Sequence, residues 1–186
     1  MTSKSRLCVL ATAVALLSFS TLSAAPKKKP AGPKLVPFKG KWTGLVETST
    51  TPVTNPDGTP ATNPDGTPIT ETEELAEGGG NATHLGRYSM ESTAVSSTDE
   101  TDTSGITGTM TFTAANGDQV FATFDGDAAT GADGLVDSDY GATIVGGTGR
   151  FAGSTGYFTF LSTTDPDSGK SIATFNGKIS GPGKGN

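Results

Sequence analysis

The residues that most often perform catalysis are scarce in this chain of 186 residues. It contains one histidine, His84, and one cysteine, Cys8. A Ser-His-Asp triad of the hydrolase type needs a Gly-x-Ser-x-Gly turn between a strand and a helix, and no such motif occurs. One histidine without partner cysteines does not make a tetrahedral zinc site. We expect His84 to be a structural residue beside the glycines at 78–80, or one contact of a ligand site.

Carboxylates and glycines alternate between Asp125 and Asp139, which raises the question of a calcium loop. The pattern of such a loop fails here, because position 129 is alanine and no glutamate closes the segment. We therefore expect solvated acids, no metal site and no cofactor.

Four residues are candidates for contacting a small ligand: His84, Tyr88, Tyr140 and Arg150. Arginine binds carboxylates through two parallel hydrogen bonds, so Arg150 is suited either to an acidic ligand or to fixing a loop. Because the chain has 19 acidic residues, an internal ion pair is the simpler expectation for Arg150.

A glycine-rich segment surrounds that arginine. Its residues Gly146, Gly147, Gly149 and Phe151 are predicted to form a structural corner. A phosphate-binding glycine loop precedes a helix N-terminus, whereas a β-rich segment, Tyr157-Phe-Thr-Phe160, follows this one. We expect Phe151 to fill one end of the domain.

The elements that must position these residues are strands. Residues 106–114 alternate between apolar side chains and threonines, and Asn116-Gly117 is a favoured hairpin turn. Alternation and turn residues predict eight strands, at 38–47, 69–76, 82–95, 106–114, 119–125, 135–145, 157–163 and 170–180. The expected fold is all-β, an eight-stranded antiparallel up-and-down barrel, with a two-sheet sandwich as the alternative that periodicity alone leaves open.

The two termini and one internal segment differ in composition from the predicted strands. Residues 1–24 have a basic start, a short apolar stretch and small residues, which predicts a cleavable signal peptide, with an uncleaved anchor as the alternative. A disordered basic leader is expected at 25–36, the barrel at 37–180 and a flexible tail at 181–186. A loop at 51–69 carries two copies of Thr-Asn-Pro-Asp-Gly-Thr-Pro.

The predicted location and the acidic charge of the chain limit the classes of partner that we expect. The signal predicts an exported protein, extracellular or periplasmic, and no later segment is long and apolar enough to cross a membrane. Removal of the signal takes away Cys8, so the expected mature chain has no cysteine. From Trp42 onward there are 5 basic and 19 acidic residues, which argues against nucleic acid as a partner.

Three segments resemble a known superfamily: Ala82-Thr-His-Leu-Gly-Arg-Tyr88, Phe112-Thr-Ala-Ala-Asn-Gly-Asp118 and Gly146-Gly-Thr-Gly-Arg-Phe-Ala-Gly-Ser-Thr-Gly156. They are similar to segments of the allene oxide cyclase and dirigent barrels, and of small exported bacterial proteins with that barrel. The resemblance implies an eight-stranded, calycin-like barrel, in agreement with the strand count. It transfers no catalytic residue, because the plant enzymes act through interior side chains that do not align with this chain.

Two functions remain open at this stage. The first is a non-catalytic exported barrel that binds a small apolar molecule or a partner surface. The alternative is a cyclase or isomerase that confines a reactive intermediate inside the barrel, which requires few polar groups. An eight-stranded barrel is just wide enough to be filled by side chains or to hold one small ligand. The sequence does not indicate an oligomeric state.

Overall fold

The computed structural model describes residues 34–100 and 105–181. Within these ranges the chain forms eight strands and a single 3-10 turn, η1 at Gly149–Phe151. The strands are β1 Leu35–Pro52, β2 Thr70–Ala82, β3 Gly86–Ser97, β4 Ile106–Ala114, β5 Gln119–Thr130, β6 Val136–Gly147, β7 Gly156–Thr164 and β8 Lys170–Ser180.

The strands close into a barrel in chain order. Each strand pairs antiparallel with the next, and β8 pairs antiparallel with β1 through Trp42 and Ala173 among others. Because the barrel is closed, the sheet has no unpaired edge, and each strand forms backbone hydrogen bonds with a neighbour on both sides. The predicted all-β, eight-stranded antiparallel barrel is confirmed.

Alternation decides which residues face the interior. On β4, Met110, Phe112 and Ala114 are buried, whereas the threonines between them point outward. The outward threonines also pair across strands, as between the hydroxyls of Thr93 and Thr109, 3.1 Å apart. Period-two sequence patterning thus sets the inner and outer faces.

The two ends of the barrel differ. One end carries η1 and the β2–β3 and β4–β5 turns, and we call it the Phe151 end. The other carries the duplicated segment, and we call it the repeat end. The half towards the Phe151 end is filled by a cluster of aromatic rings whose centroids are 5.0 to 6.1 Å apart: Phe38, Tyr88, Phe112, Phe158 and Phe175. Such contacts add about 0.5–1.5 kcal/mol each beyond the burial of area.

The predicted strands at 69–76 and 82–95 imply a turn at the glycines 78–80, and this expectation is wrong. The glycine run lies inside β2, which continues to Ala82, and the turn follows at residues 83–85. Gly78 pairs with Gly44 of β1, and the indole of Trp42 lies against the inner face of both glycines. The glycines are needed because a larger side chain there would occupy the space of the indole.

The predicted segment boundaries shift in two places. β1 starts at Leu35, so the last two residues of the predicted leader at 25–36 belong to the barrel. It also extends to Pro52, which shortens the predicted loop at 51–69. The predicted signal peptide at 1–24, most of the leader, and the tail after Gly181 lie outside the described residues.

Candidate functional site

His84 and Arg150 meet at the Phe151 end. His84 is in the β2–β3 turn with φ of 65°, and its carbonyl oxygen accepts a 2.8 Å hydrogen bond from Nη2 of Arg150. The guanidinium also lies 3.6 Å from Oδ2 of Asp118 and 4.9 Å from the centre of the Phe151 ring. Arg150 therefore links the β2–β3 turn, the β4–β5 turn and η1. Its ion pair with Asp118 is the kind of internal ion pair expected from the composition.

The two candidate tyrosines are inside the barrel at different levels. Tyr88 belongs to the aromatic cluster, and its hydroxyl donates to the carbonyl oxygen of Lys41 at 2.9 Å. Burial raises the pKa of the Tyr88 phenol above its ordinary value. Tyr140 packs on Phe124, with centroids 4.8 Å apart, nearer the repeat end. Of the four predicted ligand residues, only His84 and Arg150 are thus in direct contact.

The glycine-rich corner is built by close approach. A Cβ on Gly147 would lie 2.7 Å from Cβ of Phe151, and Gly149 has φ of 54° beside the carboxylate of Asp118. Gly146 precedes them at the end of β6, and the Phe151 ring is fully buried. The amides of Thr148 and Phe151 donate to carbonyl oxygens of this chain. The glycines of the corner therefore let the backbone pack closely against Phe151.

The interior at the repeat end is polar. Beside apolar residues such as Val46 and Ile106, the inward positions there carry one carboxylate, that of Glu74, and several hydroxyls: Thr72, Ser92, Ser96, Ser138, Ser162, Thr164 and Ser171. Burial raises the pKa of Glu74 above its ordinary value. For Tyr140, burial raises the pKa most, a hydrogen bond with Ser138 lowers it, and the charge of Glu74 raises it. We call this region the polar mouth.

Our sequence prediction missed Glu74. It lies in the run Thr-Glu-Thr-Glu-Glu at 70–74, where acids occupy both parities, so alternation alone does not show which acid faces inward. The available signal was that Glu74 shares its parity with Ala76, which is buried on the same strand.

A concavity lies on the outside of the barrel wall. It has a volume of about 800 Å³ and lies between two parallel rows of outward side chains that cross β1, β8, β7, β6 and β5. Cross-strand pairing defines the first row as Lys41, Thr174, Leu161, Asp139 and Asp127. It defines the second as Thr43, Ile172, Thr163, Asp137 and Ala129. We call this feature the outer groove.

The outer groove combines an apolar middle with charged ends. Leu161 is 48% exposed and Ile172 is 64% exposed, and both lie midway along it. Asp127 and Asp139 are paired directly across β5 and β6 at one end, an arrangement that costs stability because like charges face each other. Four strand spacings give the groove a length of about 19 Å.

Comparison with known proteins adds no assignment. No family model, curated protein or solved structure matches the chain. The resemblance to the allene oxide cyclase and dirigent barrels therefore stays a prediction.

Two kinds of feature are absent from the described part of the chain. No helix in it has the length and apolar character needed to cross a membrane. Within residues 34–100 and 105–181, no three His, Cys, Asp or Glu side chains group so as to hold a metal ion.

Proposed function

We propose that this protein is an exported, non-catalytic barrel that binds an elongated apolar molecule carrying a positive charge, and that the molecule lies in the outer groove. The observation that carries the proposal is the groove itself, a cleft of about 800 Å³ with Leu161 and Ile172 in its middle and carboxylates at one end. Export rests on the basic and apolar composition of residues 1–24.

The packing of the barrel favours an outer site over an inner one. Twenty-two apolar residues are buried in one continuous core, and aromatic rings occupy the half towards the Phe151 end. Any ligand in that half would have to displace rings such as those of Phe112 and Phe175, whose centroids are 5.5 Å apart. Opening a closely packed interior costs a large amount of free energy.

The groove offers such a ligand both apolar contact and electrostatic attraction. Burying the exposed parts of Leu161 and Ile172 would contribute roughly 1 kcal/mol for each side chain, about half of the value for full burial. A cation at the end near Asp127, Asp137 and Asp139 would relieve the repulsion between those carboxylates. The single cation along the rows, Lys41, lies at the opposite end and gives the groove a direction.

The proposal is tested by native mass spectrometry of the protein purified from its own host. We expect a mass adduct from a cationic, apolar small molecule on the wild-type protein, and its loss in Ile172→Glu. The matched control is Leu75→Glu, because Leu75 is an outward leucine on β2, 53% exposed and away from the groove. An adduct kept by Ile172→Glu, or a wild-type protein without any adduct, would contradict the proposal.

The alternative, a cyclase or isomerase, is favoured by one observation, the polar mouth. A half-buried carboxyl with a raised pKa can act as a general acid or base, and Glu74 is the inward carboxyl whose charge raises the pKa of Tyr140. For this function a co-purified molecule would be lost in Glu74→Gln and kept in Ile172→Glu. The same measurement therefore separates the two functions.

A further inference from the structure

The two copies of the repeat fold into the same turn. In the first, the side-chain amide of Asn55 donates to Oγ1 of Thr59 at 3.1 Å, and Oδ1 of Asp57 accepts from the Thr59 backbone. In the second, the amide of Asn63 donates to Oγ1 of Thr67 at 3.1 Å, and Oδ1 of Asp65 accepts from the Thr67 backbone. Each asparagine side chain is thus held in the same orientation relative to its own turn.

In the second copy that amide also binds the backbone of residues 98–100, which follow β3. Nδ2 of Asn63 donates to the carbonyl oxygen of Thr98 at 3.0 Å, and Oδ1 accepts from the amide of Glu100 at 3.0 Å. One side chain therefore holds both backbone groups on either side of residue 99, in the way that a neighbouring strand would. Asn63 is 6% exposed as a result.

The first copy presents the same side chain without such a segment. Within the described residues, the side chain of Asn55 makes only its bond to Thr59, and it is exposed. It lines a pocket of about 640 Å³ at the repeat end, together with Val53, Ala61 and Ile69. The acids Glu71 and Asp99 lie on the wall of this pocket.

We infer that Asn55 is a binding site for a peptide segment of another protein, held through its backbone as Asn63 holds residues 98–100. The second hydrogen of the Asn55 amide would donate to a peptide carbonyl, and Oδ1 would accept the N–H two residues further on. The internal bond to Thr59 already orients the amide, so little side-chain entropy is lost when the segment binds.

The pocket also indicates the chemistry of the side chains in the bound segment. Apolar wall residues such as Val53 and Ile69 favour a small apolar or threonine side chain, and Glu71 favours a basic one. The net charge of −6 for the whole chain acts in the same direction. The expected partner therefore presents a basic segment. This site is separate from the outer groove and does not depend on the function proposed for it.

The test uses a synthetic acetylated peptide amide with the sequence of residues 96–100 in which lysine replaces both acids. In a titration followed by NMR, we expect the side-chain NH₂ signal of Asn55 and the amide of Ala61 to shift, with a dissociation constant on the order of 1–10 mM. The matched control peptide carries an N-methyl group on its last residue, which removes the N–H that Oδ1 would accept.

The variants Asn55→Ala and Asn63→Ala distinguish binding from folding. Asn55→Ala is expected to keep its melting temperature within about 2 °C of wild type, because it loses a single exposed hydrogen bond. It should bind the peptide about 5- to 100-fold more weakly, the effect of two ordinary hydrogen bonds. Asn63→Ala should lower the melting temperature by about 3–6 °C and keep the binding.

Three results would overturn the inference. They are no shift at 20-fold above the expected dissociation constant, equal binding of the N-methylated peptide, or equal binding by Asn55→Ala. Ile172→Glu should bind the peptide as wild type does, so failure of the outer groove and failure of this site are distinguishable.

Discussion

Gly78 of β2 lies directly under the indole of Trp42, so that a Cβ on Gly78 would be 2.8 Å from Nε1 and 2.6 Å from the Cα of Gly44. The three residues form the part of the wall where the sole tryptophan lies flat against the backbone. This contact explains why a run of glycines is compatible with the middle of a strand. It also gives a direct test of the packing.

Gly78→Ala should destabilise the barrel by about 1–3 kcal/mol, because the methyl group would meet backbone atoms that have no room to move. The matched control is Gly141→Ala on β6, where the nearest atom to a Cβ is the carbonyl oxygen of Asp125 at 3.9 Å. That control should change stability by less than about 0.5 kcal/mol. Chemical denaturation of both variants measures the difference, and equal stabilities would contradict the packing described.

Phe151→Ala tests the filling of the Phe151 end. The ring is fully buried, so its removal should cost about 3–5 kcal/mol and lower the melting temperature by roughly 10 °C. Tyr157→Ala is the control, since Tyr157 is an aromatic residue of β7 that is 54% exposed and points outward. Its replacement should cost less than about 1 kcal/mol. A Phe151→Ala protein as stable as this control would show that the ring does not close the barrel.

Glu74 predicts a pH dependence of stability. Burial raises its pKa in the folded protein above the ordinary 4.5, so the native state keeps the proton when the unfolded chain has lost it. Stability should therefore fall as the pH rises from about 4.5 through the raised pKa of Glu74, and stay lower above it. In Glu74→Gln this fall should disappear.

Other acids act in a different pH range and do not mimic that effect. Hydrogen bonds from Thr59, Thr67 and Ser168 lower the pKa values of Asp57, Asp65 and Asp165 below 3.8. Their contribution is lost only as the pH falls below that value. Thermal unfolding between pH 4 and 8 isolates Glu74, and identical profiles for wild type and Glu74→Gln would rule out the buried carboxyl described.

The duplicated segment should be dispensable for folding. Pro52 and Thr70 are cross-strand partners at the end of the β1–β2 pair, so replacing residues 53–69 with Asn-Gly closes a two-residue hairpin. The variant loses the two part-buried hydrogen bonds between the Asn63 side chain and the backbone of Thr98 and Glu100, and we expect a cost of about 2 kcal/mol. A cooperative thermal transition checks this, and its loss would show that the repeat is part of the core.

Most of the fold could be predicted from the period-two alternation of the strands. Residues 106–114 alternate so regularly that strand, faces and burial all follow from the sequence, and Asn116-Gly117 marks the turn that follows. Gly78–Gly80 misled the prediction for a physical reason. Glycine indicates either a turn or close packing, and the sequence does not say that Trp42, some 36 residues earlier, lies on these glycines.

The candidate sites were harder to predict because they depend on which strands are neighbours. Leu161 and Ile172 stand diagonally to each other on β7 and β8, in the two rows of the outer groove, only because these strands pair in one register. The difference between Asn55 and Asn63 is invisible in two identical repeats, since it arises from where residues 98–100 pass. His84 and Arg150 were singled out for their chemistry, and the structure shows them bound to each other.

The binding of a cationic, apolar molecule in the outer groove is tested most directly by titrating the protein with dodecyltrimethylammonium below its micelle concentration, followed by amide NMR. We expect shifts confined to the two rows from Lys41 to Asp127 and from Thr43 to Ala129. Binding should weaken at least about 5-fold in Ile172→Glu and in Asp127→Asn with Asp139→Asn, but not in the control Leu75→Glu. Dodecyl sulfate at the same concentration should bind more weakly. Shifts spread over the barrel, or equal binding by Ile172→Glu and Leu75→Glu, would contradict the account.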